Sequence, residues 1–228
     1  MSSLFYGLEI ARTGLTVSQK AINLSGHNIA NANTEGYTRQ RLVINSIQPA
    51  SVNVRLSSIS RGAVGGGATV GFVDQIRNDY LDRQFRNQNT RMGYWQVKAD
   101  EMEYIEMVVN ELSEDTSISS ALADFFQSLS DLAENAPSSK EIRTSVQQNA
   151  LKLTETFNQY YEQLVELQSL YNDKMAGTVA RINTLLTNIA DNNRQIFAYE
   201  LSGEKANELR DTRNLMIDEL SALIDITV

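Results

Sequence analysis

The chain has 228 residues, of which 42% are hydrophobic and 21% are charged, and it carries a formal net charge of −8. This length can bury a real core, and the composition excludes a largely disordered chain. No uncharged apolar run approaches the length of a membrane span, so no membrane insertion is expected. The first residues, MSSLFYGLEI, lack the basic region and apolar core of a cleavable secretory signal. Because the chain has no cysteine, disulfides and thiolate metal sites are excluded.

The net charge hides a division between the two parts of the chain. Residues 1–99 hold 11 Lys and Arg against 5 Asp and Glu, whereas residues 100–228 hold 9 against 23. This asymmetry indicates either that the basic part meets the acidic part of a neighbouring copy or that the chain has two differently solvated surfaces. The scattered basic residues and the overall negative charge disfavour nucleic acid as a partner.

The first 34 residues contain an amphipathic helix with a regular heptad pattern. Its candidate interface residues follow one another in steps of three and four: Leu4, Leu8, Ala11, Leu15, Ser18, Ile22, Ser25 and Ile29. A third column on this side has small residues, Gly7, Gly14 and Ala21. Each glycine costs roughly 1 kcal/mol of helix propensity, so the column suggests that another backbone comes close.

One apolar stripe cannot stabilise this helix by itself. Burial of its four large aliphatic residues would contribute about 1.5–3 kcal/mol each. Fixing the backbone costs roughly 1–2 kcal/mol per residue before hydrogen bonds and packing offset it. We therefore expect a segment that is mobile in the free subunit and ordered on assembly; the alternative is an ordinary helix docked within its own fold.

Residues 35–73 are predicted to form a short β-ribbon connector. The segments 42–47 and 68–73 favour extended structure, and in residues 52–57 apolar and polar side chains alternate. Between them, GAVGGG at 62–67 is typical of a turn. It is not a phosphate-binding loop, because no Gly-Lys-Ser/Thr follows it.

Residues 74–228 are predicted to be helical almost throughout, which makes the fold mainly α with an elongated antiparallel bundle of long helices. The first two predicted helices have apolar stripes at Met92, Trp95, Ala99, Met102, Ile105, Val109 and Leu112, and at Ile118, Leu122, Phe125, Leu129 and Leu132. The stripe of the third helix has Ala150, Leu153, Phe157, Tyr160, Leu164, Leu167 and Tyr171 and, after a four-residue slip at Met175, Val179, Ile182, Leu186, Ile189 and Ile196. The stripe of the last helix has Leu209, Met216, Leu220 and Leu223. SSKE at 138–141 has capping-box spacing, and an unbroken helix from 139 to SG at 202–203 would be about 90 Å long.

No catalytic, cofactor or metal site is predicted. The single histidine, His27, has no cysteine or carboxylate pair near it in the sequence. Acidic pairs such as 101/103 and 218/219 are predicted to lie on solvated helix faces. The final residues, DITV at 225–228, favour the start of a strand, so we expect a longer protein in which an outer β-domain follows.

The stretch NIANANTEGYTRQ at 28–40 resembles the junction motif of bacterial flagellar axial proteins, the rod, hook and hook-associated families. The form GYTRQ at 36–40 and the start MSSLF look most like the first hook-associated family. The segments 121–137 and 206–228 are also similar to its helical domain. Seven residues carry the motif by this resemblance: Asn28, Asn31, Asn33, Gly36, Tyr37, Arg39 and Arg41.

The resemblance implies a non-enzymatic structural subunit of the hook–filament junction, exported to the outside of the cell by the flagellar type III apparatus. Its implied partners are copies of itself in an open ring or helical assembly, the hook protein, the next hook-associated or flagellin-side subunit, and an export chaperone. Two alternatives remain: a rod- or hook-type axial protein, and a soluble coiled-coil adaptor or secretion chaperone. A rod or hook protein would lack the long helical block at 139–224.

Overall fold

A computed structural model describes residues 3–47, 65–109, 117–134 and 140–227 of the chain. The elements are α1 (Ser3–Ala30), β1 (Gln40–Ser46), β2 (Ala68–Gln75), α2 (Asp79–Val109), α3 (Ile118–Glu134), α4 (Lys140–Glu200) and α5 (Asn207–Leu223). The mainly α fold class is confirmed, as are the extended segments 42–47 and 68–73. The alternating segment 52–57, Leu112 and Ser138 of the predicted capping box lie outside the described residues.

Local chemistry sets several of the helix ends. The Asn78 side chain accepts a hydrogen bond from the Tyr80 backbone N–H at 3.0 Å, and the Ser117 hydroxyl accepts one from the Ser120 N–H at 3.0 Å. Both are N-cap interactions that satisfy a free donor of the first helical turn. The 61-residue helix α4 ends before Gly203, which has a φ of +88°, so the predicted stop at SG is confirmed.

The two strands form an antiparallel ribbon that packs along α1. The pairing runs from Gln40 opposite Gln75 to Ser46 opposite Ala68, and Gly71 is the extra residue of a bulge between Val43 and Ile44. At the far end of the ribbon, the Ala68 N–H donates to the Thr13 hydroxyl on α1 at 3.3 Å. Val17 on the same side of α1 is buried, with 7% of its surface exposed.

The chain forms two compact units. Unit 1 comprises residues 1–88 and 184–228, and unit 2 comprises residues 89–183. Unit 1 holds α1, the ribbon, α5, the start of α2 and the end of α4; its buried apolar residues are Val17, Leu185, Ile196, Ala206 and Leu220. The predicted division into 1–34, 35–73 and 74–228 stays a prediction about the assembled protein.

Unit 2 is built from the rest of α2, α3 and the greater part of α4. The Tyr160 hydroxyl on α4 donates to the Val109 carbonyl at the end of α2 at 2.7 Å. Asp124 on α3 pairs with Lys152 on α4 at 3.0 Å, and Ala121 of α3 is buried. None of the described helices has an apolar run that would reach across a bilayer.

The predicted burial of the α2 stripe is wrong for this chain. Met92, Trp95 and Met102 are each more than half exposed, while Arg86 is the buried residue of the helix. On α4 the predicted stripe is confirmed at Ile196, which is buried, but it is wrong at Leu186, which is 49% exposed while the adjacent Leu185 is buried. Periodicity identifies an apolar face, but whether that face is covered depends on which other elements pack against the helix.

Candidate assembly site

The predicted interface residues of α1 lie on an open face of the helix. Leu8, Leu15, Ile22 and Ile29 are between 67% and 77% exposed. Ala11, Ser18 and Ser25 beside them are also exposed, and Leu4 lies in the helix although its side chain is not described. At 100° per residue, this column is on the side of α1 opposite Val17, so the ribbon covers one face and leaves the other open. We call these four large residues the open face.

The predicted close approach at the small-residue column has no counterpart within the described chain. A Cβ atom added at Gly7 or at Gly14 would meet nothing within 4 Å. The ribbon instead comes close to α1 at Gly67, where an added Cβ would clash with the Thr13 hydroxyl oxygen. Gly67 also has a φ of +99°, so both space and backbone conformation favour glycine at that position.

Asn28 joins the end of α1 to the beginning of β1. Its Nδ2 donates to the Gln40 carbonyl at 2.9 Å, and its Oδ1 accepts from the Gln40 N–H at 2.9 Å. The Tyr37 hydroxyl donates to the same Oδ1 at 2.8 Å. A single side-chain amide therefore satisfies both backbone groups of a buried residue and fixes the turn between helix and strand.

Tyr37 connects this amide to His27. Its hydroxyl lies 3.0 Å from His27 Nδ1, and the two rings meet edge to face with centroids 5.6 Å apart. Because the hydroxyl proton is directed to Asn28, the His27 contact requires a hydrogen on Nδ1. Burial raises the pKa of Tyr37, and the negative charges of Asp211 and Glu208 raise it further, so the phenol stays a neutral donor.

The other motif residues have different positions. Asn31 donates to the His27 carbonyl at 3.0 Å, whereas Asn33 is exposed and its side chain bonds to no described residue. Gly36 has a φ of +77°, and a Cβ there would lie 3.2 Å from Leu215 Cβ on α5. Arg41 is exposed and pairs with Asp74 across the ribbon at 3.2 Å, and Arg39 is exposed.

The structure adds a polar contact between the motif and α5 that the sequence did not indicate. Asp211 is buried; one carboxylate oxygen accepts from the Thr38 N–H at 3.0 Å and the other from Gln75 Nε2 at 2.8 Å. Asn207, also buried, donates to the Val73 carbonyl at 3.2 Å. Asp211 lies 173 residues after Thr38, so no local sequence signal could have identified this pairing.

An ion pair ties the start of α5 to the end of α4. Arg210 binds Glu200 through two nitrogens at 2.6 and 2.8 Å, and the Ala206 N–H donates to the same carboxylate at 3.2 Å. The hydrogen bonds from Arg210 are the main cause that lowers the pKa of Glu200 to about 2. The carboxylate therefore stays charged and holds the turn between the two helices.

Two family models match the chain. The model described as flagella basal body rod protein matches residues 8–38, which contain most of α1 and the junction motif. The model described as flagellar hook-associated protein FlgK helical domain matches residues 102–228. The first match shows that the N-terminal segment is similar to flagellar rod proteins, and both matches define the class as flagellar components. The second is the more specific match and covers more than half of the chain: the chain belongs to the flagellar hook-associated protein FlgK family, whose members are structural flagellar proteins.

Curated relatives agree with this membership. Over its whole length the chain is 36% identical to flagellar hook-associated protein 1 of Bacillus subtilis (strain 168), of which it covers 45%. It is 29% identical to the protein of that name from Escherichia coli (strain K12) and 28% identical to that from Salmonella typhimurium, covering 40% and 39% of them. The chain thus spans less than half the length of these relatives. No solved structure matches it.

Proposed function

We propose that the chain belongs to a structural subunit of the hook–filament junction, assembled through coiled-coil packing of α1. The observation that carries this proposal is the open face: Leu8, Leu15, Ile22 and Ile29 lie in heptad register and are largely exposed. Covering them would contribute about 1.5–3 kcal/mol for each side chain. Their position opposite the ribbon lets a partner helix approach without displacing any contact among the described residues of unit 1.

The proposed partners follow from the family and from the open face together. The relatives' name, flagellar hook-associated protein 1, supports a position in the flagellum. We propose copies of the same chain in an open ring or helical assembly, the hook protein on one side and the next hook-associated or flagellin-side subunit on the other. An export chaperone and export by the flagellar type III apparatus to the outside of the cell complete the proposal.

The substitution Leu15→Asp tests the open face. An aspartate there would place an unpaired charge in the packed seam, so we expect loss of the protein from isolated hook–filament junctions and shedding of filaments. Thr16→Asp is the matched control, since it adds the same charge at the next, exposed position outside the seam. The measurement is immunolabelling of hook ends in the host bacterium carrying each variant. Normal incorporation of Leu15→Asp would reject the assignment of the seam.

Hydrogen exchange separates assembly from the rival reading as a soluble coiled-coil adaptor or secretion chaperone. A subunit whose α1 is completed only on assembly should exchange the amides of residues 4–29 faster than those of α4 and α5 in a dilute monomer, because one face of the docked helix has no covering element. An adaptor with a stable helix should exchange them slowly. The rod match at 8–38 also favours a rod- or hook-type protein, but the FlgK helical domain match over 102–228 argues for a hook-associated one.

A further inference from the structure

Unit 1 contains a polar cleft of about 790 Å³ that the assembly proposal does not use. It lies among the end of β2, the start of α2, the end of α4 and α5. Five arginines line it and define what we call the arginine cleft: Arg77, Arg83, Arg86, Arg210 and Arg213. Three aspartates, Asp74, Asp79 and Asp82, line it as well.

Three of these arginines are paired with carboxylates of the chain. Arg77 binds Asp82 at 2.5 Å, and Arg210 binds Glu200. Arg86, whose side chain is 9% exposed, binds Asp218 at 2.7 Å. The expectation that Asp218 lies on a solvated face is therefore wrong, because its carboxylate compensates a buried guanidinium. These three pairs stabilise the walls of the arginine cleft.

The other two arginines have no such partner. In the described part of the chain, no carboxylate lies within 4.0 Å of Arg83 or Arg213. Arg83 donates only to the Asp79 carbonyl at 3.4 Å. Arg213 donates through Nη1 to Asn193 Oδ1 at 3.3 Å, and its Nε is buried without an acceptor. Arg83 is exposed, so water can solvate its remaining donors, whereas the unused donors of the half-buried Arg213 are costly unless an anion satisfies them.

The charges around Arg213 also favour the binding of an anion. Burial lowers the pKa of Arg213, and the positive charges of Arg210, Arg86 and Arg77 lower it further, with only Glu200 acting against them. Both causes, burial and repulsion by like charges, are expected where guanidinium groups lie close together and are partly removed from water. An incoming anion would relieve both the repulsion and the unsatisfied donors.

We propose that the arginine cleft is a carboxylate-binding site in which Arg213, with Arg83, receives a carboxylate group from outside the chain. A guanidinium presents paired donors in the plane of a carboxylate. The three aspartates in the walls disfavour a doubly charged phosphate and leave a singly charged, planar group as the better fit. The carboxylate comes either from a small free acid or from an Asp or Glu side chain of another polypeptide. This inference does not rest on the proposed assembly.

The test is titration of the full chain, labelled with ¹⁵N, while the arginine Nε–H resonances are followed by NMR. Acetate serves as the free carboxylate and a terminally blocked Gly-Glu-Gly peptide as the chain-borne one, so that each ligand carries a single negative charge. We expect a saturable shift of the Arg213 Nε–H signal, which the spectrum of Arg213→Gln identifies by its absence. Since one charge-assisted contact contributes about tenfold in affinity, Arg213→Gln should weaken binding at least tenfold, and Arg83→Gln should weaken it less.

Arg194→Gln is the matched control, because Arg194 is on α4 outside the arginine cleft and pairs with Asp191 at the surface. It removes the same charge and should leave the affinity unchanged. Tighter binding of the peptide than of acetate would assign the site to an acidic segment of another chain, and the reverse would assign it to a free acid. The proposal is overturned if neither ligand saturates the signal, or if Arg194→Gln and Arg213→Gln weaken binding equally. Circular dichroism of each variant verifies that it is folded.

Discussion

The C-terminal junction of α1 and the open face along the helix differ in the kind of interaction that they offer. Near its C-terminus, Asn28, Tyr37 and Asp211 form directional hydrogen bonds within unit 1, and each bond has a specific partner. Along its length, Leu8 and Leu15 present apolar surface that no described residue covers. Hydrogen bonds of this kind fix one geometry, whereas apolar surface accepts any complementary partner. The junction therefore finds its partners within unit 1, whereas the described chain leaves the open face uncovered.

The same substitution, to aspartate, on opposite faces of α1 should give the largest difference in the free energy of unfolding. Val17→Asp would bury an unpaired carboxylate against the ribbon and should lower the free energy of unfolding by about 3–5 kcal/mol. Leu15→Asp on the open face should change it by no more than about 0.5 kcal/mol in the free chain. Denaturant titrations followed by circular dichroism measure both. Equal destabilisation would mean that the open face is already covered in the free chain.

Removal of the Asn28 amide should give the second-largest change in the free energy of unfolding. Asn28→Ala removes three hydrogen bonds and leaves the N–H and carbonyl of the buried Gln40 unsatisfied, so we expect a loss of about 2–3 kcal/mol. Asn33→Ala, at an exposed position of the same motif, should cost no more than about 0.5 kcal/mol. If the two alanine variants unfold at the same denaturant concentration, the Asn28 contacts do not hold the junction.

Gly36→Val tests the contact between the junction and α5. A valine would have to adopt a φ of +77° and displace Leu215, which should cost about 2 kcal/mol. Gly14→Ala is a useful contrast, because the added methyl group meets no described residue within 4 Å and should stabilise α1 by about 0.5–1 kcal/mol. Thermal unfolding compares them. A neutral Gly36→Val would show that this backbone can relax without loss.

The smallest effect should come from acidification. The pKa of Glu200 is lowered from its ordinary 4.5 to about 2, so its ion pair with Arg210 stabilises the folded chain fully above the unfolded value and loses that contribution as the pH falls through about 2. Because the pair is partly exposed, we expect it to contribute only about 1–2 kcal/mol. Unfolding of wild type and Glu200→Gln across this range measures it. A gap that stays constant with pH would contradict the assignment.

The sequence was sufficient wherever the determining interaction was local. The heptad of α1, the strands at 42–47 and 68–73 and the end of α4 before Gly203 all follow from spacing or from a single residue with a special backbone angle. Resemblance in the motif at 28–40 also identified the family correctly. These features depend on residues only a few positions apart, which is why pattern alone predicts them.

Contacts between distant residues could not be predicted in this way. Asp211 and Asp218 are polar residues on α5 that an amphipathic pattern assigns to solvent, yet the first accepts from Thr38 and the second binds Arg86. Conversely, Met92 and Trp95 are in an apolar stripe that is exposed. Burial is a property of the tertiary arrangement, and a helix has the same period whether or not a partner covers its apolar face.

The hydrogen bonds of Asn28 have a consequence for the outer edge of the ribbon. Both strands of a two-stranded sheet are edge strands with unpaired N–H and carbonyl groups, and a strand of another chain can pair with such groups. At Gln40 the N–H and the carbonyl that face away from β2 are both hydrogen-bonded to the Asn28 amide. The side chain thus makes the two hydrogen bonds that a neighbouring strand would make at this residue. At this end of β1, Gln40 therefore has no free peptide group with which an added strand could pair.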